Sequence, residues 1–363
     1  VDADRRFMAA AIRYSRRHLG RTATNPSVAT LIVKDGLIVG RGVTAIGGRP
    51  HAETQALAEA GELARGATAY VTLEPCAHHG RTPPCANALV AAGVARVVGA
   101  AADPDPRVAG KGYAILRDAG IKVVEGVLAA EAADLMAGYL TRSLRKRPEV
   151  TLKLAVSADG MIGKAGEGQV RITGEIARAQ VHRMRAEADA ILIGIGTAMA
   201  DDPELTVRLS GMEDRSPLRI VLDPSARLPL ASKLVRTAHT VPVMAAVCAG
   251  APGERIDALK TAGVGILAVE TVDGRVALPE LLEDLAARGI ATLMVEGGAA
   301  IAESFLKEDL VDRLCLFSGP ATVGEGGIAA PAAALAPPAR LIKKDERRFG
   351  DDRYEEWACL PAS

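Results

Sequence analysis

Three residues able to bind a soft metal ion, with a carboxylate beside them, stand out in the first quarter of the chain. His51-Ala52-Glu53 is followed by Pro75-Cys76 and then by Cys85. One imidazole and two thiols make three ligands for zinc and leave a fourth position open to water. A carboxylate two residues from the imidazole can shuttle that water's proton. These are the parts needed to remove an amine from a nucleobase-like ring by hydrolysis. Singly they say little, because a lone cysteine is usually a small buried hydrophobe. The joint order carries the reading.

The elements that must position these residues are legible nearby. The apolar run 69–73 reads as a buried strand ending at Glu74-Pro75-Cys76. His51 follows Pro50 and opens a good helix former, and Cys85 follows Pro84 and opens a second helix that stops at Gly93. Two ligands therefore sit at helix starts, where the dipole favours thiolate. The order matches the H-x-E…P-C-x-x-C pattern of zinc deaminases. Here eight residues, Ala77 to Pro84, separate the cysteines, so the second thiol arrives on its own loop. His78 and His79 in that loop face substrate or support the ligands, since a catalytic zinc wants three protein ligands.

A chain of 363 residues exceeds one ordinary domain, and 49% hydrophobic content supports substantial cores. Lys+Arg and Asp+Glu both number 44, which argues against a nucleic-acid or membrane footprint. Cys248, Cys315 and Cys359 are left over, and an odd remainder argues against a disulfide framework. No run of apolar residues is long enough to span a membrane and no signal-peptide pattern is visible, so a reducing, cytoplasmic compartment is expected. A helix over 4–19, strands over 28–33 and 37–43 joined at Lys34-Asp35-Gly36, and strands over 94–100 and 121–124 form an alternating α/β series. Residues 141–148 turn basic and reach Pro148, reading as a solvated helix end or linker. A second α/β series follows, with strands over 150–156, 190–195, 218–222, 241–247, 292–295 and 314–317, and a closing strand near 354–360.

In this second half, Gly194-Ile195-Gly196-Thr197 and Glu296-Gly297-Gly298-Ala299 each follow a strand, and Asp201 to Arg208 lies between them. Glycines at a strand-to-helix turn let backbone N–H groups approach a phosphate, although tight turns use the same residues. The pattern is not G-x-G-x-x-G, so no Rossmann fingerprint is present. Arg185 and Arg208 are candidates to clamp a phosphate bidentately.

The whole chain resembles the bifunctional riboflavin-biosynthesis deaminase–reductases of bacteria. In the first half the likeness rests on Asn25-Pro26-x-Val28, His51-Ala52-Glu53, Thr72 to Cys76, His78 to Cys85, and Asp103-Pro104-Asp105-Pro106-x-Val108-x-Gly110-x-Gly112. In the second it rests on Leu152 to Ala155 with Ser157 and Asp159-Gly160, Gly196-Thr197, Asp201-Asp202-Pro203-x-Leu205-Thr206-x-Arg208, Val221-x-Asp223, and Val295 to Gly298. The resemblance implies an α/β protein. A three-layer cytidine-deaminase-like domain with a mixed sheet would occupy residues 1–147, followed by a dihydrofolate-reductase-like α/β domain over 148–363. It implies deamination of 2,5-diamino-6-(5-phosphoribosylamino)pyrimidin-4(3H)-one, then NADPH-dependent reduction of the ribosyl side chain of the resulting uracil to ribityl. A single-activity zinc deaminase with a nucleotide-sensing C-terminal half is the alternative.

Carried over by position, His51, Cys76 and Cys85 would bind zinc and Glu53 would shuttle the proton. Asn25, His78, Arg81, Asp103, Gly110 and Gly112 would hold the pyrimidine or its sugar phosphate. Ala155, Arg171, Thr197, Asp201, Asp223 and the loop Gly298, Ala299, Ala300, Ile301, Ala302, Glu303 and Ser304 would line the NADPH site. Gln169, Arg185, Leu205, Arg208 and Glu296 would contact the ribosyl substrate, and Lys153 and Asp202 would polarise or protonate the opened sugar. The partners implied are these small molecules and further copies of the chain in a homo-oligomer, not nucleic acid or membrane. Two positions depart from the family: Thr30 stands where Cys is common, read as a packing variant in a strand, and Arg171 replaces an expected aromatic.

Overall fold

A five-stranded mixed sheet carries the first half of the chain and a nine-stranded one carries the second. The computed structural model describes residues 2–78, 83–272 and 275–359. Contacts divide the described residues into two units, one over 2–146 and the other over 147–359.

The first unit runs α1 (Asp2–Ser15), β1 (Ala29–Lys34), β2 (Leu37–Val43), α2 (Ala52–Ala60), β3 (Thr68–Leu73) and α3 (Cys85–Ala91). It continues with β4 (Arg96–Ala101), α4 (Lys111–Asp118), β5 (Lys122–Val124), α5 (Ala129–Leu135) and α6 (Ala137–Arg145). Strand order is β2-β1-β3-β4-β5, antiparallel around β1 and parallel from β3 to β5. Helix α2 packs on β1 and β2 and touches α3, which packs on α4, whereas α1 and α5 pack together and against β3 and β4. The result is the expected three layers. Met8, Ile32, Val71, Leu89, Val98 and Leu116 are fully buried between them.

One close approach fixes the metal-site helix. Gly40 and Gly42 lie on the same face of β2, because side chains alternate along a strand. A Cβ on Gly42 would lie 2.0 Å from the Ala52 carbonyl oxygen, and one on Gly40 2.2 Å from that of Ala56. Helix α2 therefore lies directly on the strand, with its first turn beside His51.

The second unit runs β6 (Glu149–Val156), β7 (Met161–Lys164), α7 (Glu175–Glu187), β8 (Ala190–Gly194), α8 (Ile195–Asp201) and β9 (Leu218–Leu222). Next come α9 (Lys233–Arg236), β10 (Val243–Cys248), α10 (Gly253–Thr261), β11 (Gly265–Val269), β12 (Thr271–Val272), β13 (Arg275–Val276) and α11 (Leu278–Ala287). The last are β14 (Thr292–Val295), α12 (Ala299–Lys307), β15 (Arg313–Ser318), β16 (Gly327–Ala329), α13 (Ala332–Leu335), β17 (Ile342–Phe349) and β18 (Asp352–Ala358). The large sheet has the order β11-β10-β9-β8-β14-β6-β15-β18-β17. It is parallel from β11 to β15, and β18 and β17 close one edge as an antiparallel hairpin.

Both faces of this sheet are covered. Leu192 packs with Leu285 and Phe305 in one core, while its neighbours Ile191 and Ile193 pack with Leu234 and Leu259 in another. Among the described residues, no helix is long and apolar enough to cross a membrane.

Candidate active sites

His51 is the N-cap of α2, with extended backbone at φ −69° and ψ 163°. Glu53 falls in the first turn and is 4% exposed. Cys76 follows the end of β3, and Cys85 opens α3 directly after Pro84. The loop between the cysteines thus lets two different elements deliver thiols to one point. The ligand atoms of His51, Cys76 and Cys85 all lie within 4.8 Å of one another. His51 Nδ1 is 3.4 Å from Cys85 Sγ and 3.8 Å from Cys76 Sγ. Ordinary zinc–nitrogen and zinc–sulfur bonds at tetrahedral angles place such atoms about 3.5 Å apart. The donor set fits zinc in both chemistry and spacing.

The electrostatics suit a metal site. The Cys85 thiol and backbone N–H, the latter donating at 3.2 Å, together with His51, hold the Cys76 thiol down to about 4 despite burial. The neighbouring Cys76 sulfur above all, together with burial, pushes the Cys85 thiol up. Burial raises Glu53 to about 7, helped by the negative charge on Cys76. A carboxyl at that value exchanges protons readily near neutrality.

His51, Glu53 and Cys76 open into a cavity of about 760 Å³. Asn25, His78 and Asp103, expected to hold substrate, all line it. Asp103 Oδ1 accepts the Tyr139 hydroxyl and the Asp105 N–H, each at 2.9 Å. Gly110 and Gly112 depart from expectation: their N–H groups donate to the Glu74 carboxylate at 3.1 and 3.0 Å. A Cβ on Gly112 would lie 2.0 Å from the Pro75 carbonyl oxygen, so these glycines brace the segment leading to Cys76. Arg81 and His79 lie outside the described residues. Sequence reasoning missed Arg49, Arg107, Tyr139, Arg142 and Ser143 on the wall. The last three recur at i, i+3 and i+4 of a helix, a signal hidden by the basic run around them.

Thr30 is fully buried in β1, and its hydroxyl has no hydrogen-bond partner. That agrees with a packing position that a thiol fills without penalty.

In the second unit the strand-to-helix turns cluster at one sheet edge. β6, β14, β8 and β9 are consecutive parallel neighbours. Ala155 lies near the C-terminal end of β6, Gly298 follows β14, Thr197 and Asp201 follow β8, and Asp223 follows β9. Ligands of open α/β sheets bind outside such ends. A Cβ on Gly298 would lie 3.0 Å from Thr197 Oγ1, so the two turns touch. Asp223 is fully buried; one carboxylate oxygen accepts the Leu228 N–H at 2.7 Å and the other has no partner.

Beside this edge sits a buried charge cluster. Arg185 on α7 gives its fork to Glu296, with Nε to Oε1 at 2.6 Å and Nη2 to Oε2 at 2.9 Å. Lys153 Nζ is 3.7 Å from Glu296 Oε2. Burial alone would raise Glu296, but Arg185 and Lys153 outweigh it and hold the carboxyl at about 2. Burial lowers Lys153, with Glu296 opposing.

Several expectations change here. Arg185 is no partner of Arg208 in a bidentate phosphate clamp, because its fork is spent on Glu296. Arg208 is exposed and pairs with Glu204 at 2.8 Å. The Leu205 side chain is buried in the core, leaving backbone atoms for any ligand. Asp202 caps α8 in a left-handed conformation at φ 40°, and its Oδ1 accepts the Lys233 N–H at 2.8 Å. That bond ties Asp202 to the start of α9. Ala302 is buried with Phe305, and Ile301 packs against Gly194 and Gly297. The first turn of α12, from Gly298 to Ala300, begins at the sheet edge, with Gly298 as its N-cap. Glu303 and Ser304 lie a turn further on, with Ser304 Oγ donating to the Ala300 carbonyl. Gln169 and Arg171 are exposed between β7 and α7.

Comparison with known proteins finds relatives along both units. Residues 148–352 match the family described as the RibD C-terminal domain, and residues 1–101 match the cytidine and deoxycytidylate deaminase zinc-binding region. The chain is 41% identical over 325 residues to riboflavin biosynthesis protein RibD of Aquifex aeolicus, covering 90% of this chain and 89% of that protein. It is 40% identical over 339 residues to RibD of Escherichia coli, covering 88% and 89%. Among solved structures, an Acinetobacter baumannii RibD superposes with a TM-score of 0.85 at 38% identity, over 99% of each chain. A Thermotoga maritima diaminohydroxyphosphoribosylaminopyrimidine deaminase/5-amino-6-(5-phosphoribosylamino)uracil reductase gives a TM-score of 0.85 at 30% identity, again over 99% of each. On this likeness across nearly its whole length, the chain belongs to the RibD family of riboflavin biosynthesis proteins.

Proposed function

We infer that the chain catalyses two steps of riboflavin biosynthesis, one in each unit. The first unit removes an amino group from the diaminopyrimidine carrying a phosphoribosylamino substituent, with water in and ammonia out. The second reduces the ribosyl side chain of the resulting 5-amino-6-(5-phosphoribosylamino)uracil to ribityl. The observation that carries this reading is the convergence of His51, Cys76 and Cys85 beside a cavity that His51, Cys76 and the buried Glu53 line.

Zinc, held by His51, Cys76 and Cys85, supplies Lewis acidity toward water when bound. Glu53 takes the proton of the attacking water on its carboxylate and returns it to the departing ammonia. Asn25, His78 and Asp103 orient the pyrimidine, and Glu74 keeps the segment before Cys76 in place through its bonds to Gly110 and Gly112.

NADPH supplies the reducing equivalents when bound. Ala155, Arg171, Thr197, Asp201, Asp223 and the first turn of α12 hold it along the sheet edge. Lys153, kept among Glu296 and Arg185, donates a proton or a charged hydrogen bond to the sugar oxygen. Gln169 and Arg208 contact the ribosyl phosphate side. The small-molecule chemistry needs no nucleic-acid or membrane surface, and reduced thiolate ligands suit a cytoplasmic setting. Self-association into a homo-oligomer is the further expectation, measured by sedimentation.

The experiment is a coupled assay on the diaminopyrimidine substrate. Ammonia release followed by a fall in reduced-cofactor absorbance is expected. Ammonia release without cofactor oxidation would favour a deaminase carrying a nucleotide-sensing unit.

A further inference from the structure

Helix α6 carries Tyr139, Arg142 and Ser143 at i, i+3 and i+4, so all three share one face. All are half-buried, and all line the cavity that holds His51, Glu53 and Cys76. The Tyr139 hydroxyl, bonded to Asp103 at 2.9 Å, fastens this face to the wall. The basic stretch that reads as a linker in the sequence is therefore, at its start, one side of an active site.

Charge gives that side a purpose. Four carboxylates line the same cavity: Glu53, Glu74, Asp103 and Asp105. A phosphate dianion entering it needs fixed positive charge close by. Arg49 and Arg107 stand on the same wall, Arg107 donating to both oxygens of Asp105 through Nε at 3.0 Å and Nη2 at 2.5 Å. Arg142 stands on the cavity face of a helix that Tyr139 holds still. A guanidinium presents donors in a planar fork that matches phosphate oxygens.

Resting on the deaminase reading above, whose substrate bears a ribose phosphate, we propose that Arg142 binds that phosphate and makes α6 a specificity element. Tyr139 is its positioning residue.

The test uses the zinc-loaded full chain and two substrates, the phosphorylated compound and the same compound after phosphatase treatment. Arg142→Gln is expected to raise KM for the phosphorylated substrate about 10- to 100-fold with kcat retained, the weight of a hydrogen bond to a charged group. Turnover of the dephosphorylated compound should not change, and Arg142→Lys should recover part of the loss. Equal loss on both substrates, or loss on neither, overturns the proposal. Inorganic phosphate supplies a second reading. It should compete with substrate in the parent protein, and at least about tenfold more weakly in Arg142→Gln; an unchanged inhibition constant also overturns the proposal. Zinc content and NADPH oxidation by the variant separate lost recognition from lost folding. A parent protein that releases no ammonia from either substrate sinks the deaminase reading itself, an outcome distinct from any of these.

Discussion

Glu53 lies beside the metal ligands without being one of them, and that separation is testable. Glu53→Gln keeps the shape and the hydrogen-bonding capacity of the side chain but cannot take up a proton. Zinc content by metal analysis should stay unchanged, while ammonia release falls by about a hundredfold or more. Loss of zinc in this variant would mean the carboxylate belongs to the ligand set. Thr30 offers a second single-residue test. Its buried hydroxyl has no partner, and an unsatisfied polar group costs about 1–3 kcal/mol. Thr30→Val should therefore raise stability by about 1 kcal/mol, read as a higher denaturation midpoint with unchanged slope. At this scale the zinc ligands were legible in the sequence because metal chemistry admits few residue types. The role of Asp202 was not, since a capping bond to Lys233 depends on a helix far along the chain.

Elements set the positions of these residues. Gly42 admits α2 against β2, so Gly42→Ala should force the helix outward, cost about 1–3 kcal/mol and weaken zinc binding, measured by chelator competition. Helix α1 is fastened by Asp4, which bonds both Arg96 nitrogens at 2.8 and 2.7 Å and accepts the Tyr70 hydroxyl at 2.9 Å. Arg96 above all holds the Asp4 carboxyl at about 2, below its ordinary 3.8. A carboxyl depressed in the folded state adds stability above its unfolded value and loses it as the pH falls through the folded one. Asp4→Asn should thus cost about 1–2 kcal/mol at pH 7, a gap that closes between pH 4 and pH 2. The hairpin between β1 and β2 was readable because Asp35 and Gly36 both take positive φ, 50° and 79°, as its turn type requires. Strand β17 was not readable. Six of its eight residues are charged, and it forms as the solvated edge partner of β18 rather than by burying an apolar face. The face of α6 was hidden in the same way, since a basic helix end looks alike whether it meets water or a cavity.

For the molecule as a whole, the two units keep separate apolar cores. One is built from residues between Met8 and Met136, and the others from residues beyond Val150. The alternation of strands and helices announced this division, because each series supplies its own sheet. Order within the large sheet was not announced: β14 inserts between β6 and β8, a pairing that no local pattern encodes. Two cores predict two separable activities. The Glu53→Gln protein, given the deaminated intermediate, should oxidise NADPH at the parent rate; a parallel fall would mean that the second activity depends on the first site.

On the function proposed above, one zinc ion at His51, Cys76 and Cys85 serves a deaminase acting on the phosphoribosylamino-substituted diaminopyrimidine. The most direct measurement is ammonia released by the purified chain against zinc content, as metal is removed by chelation and restored. Ammonia release should rise in proportion to bound zinc and saturate at about one ion per chain. Full zinc occupancy without ammonia release, or release that persists after the metal is gone, would contradict that function.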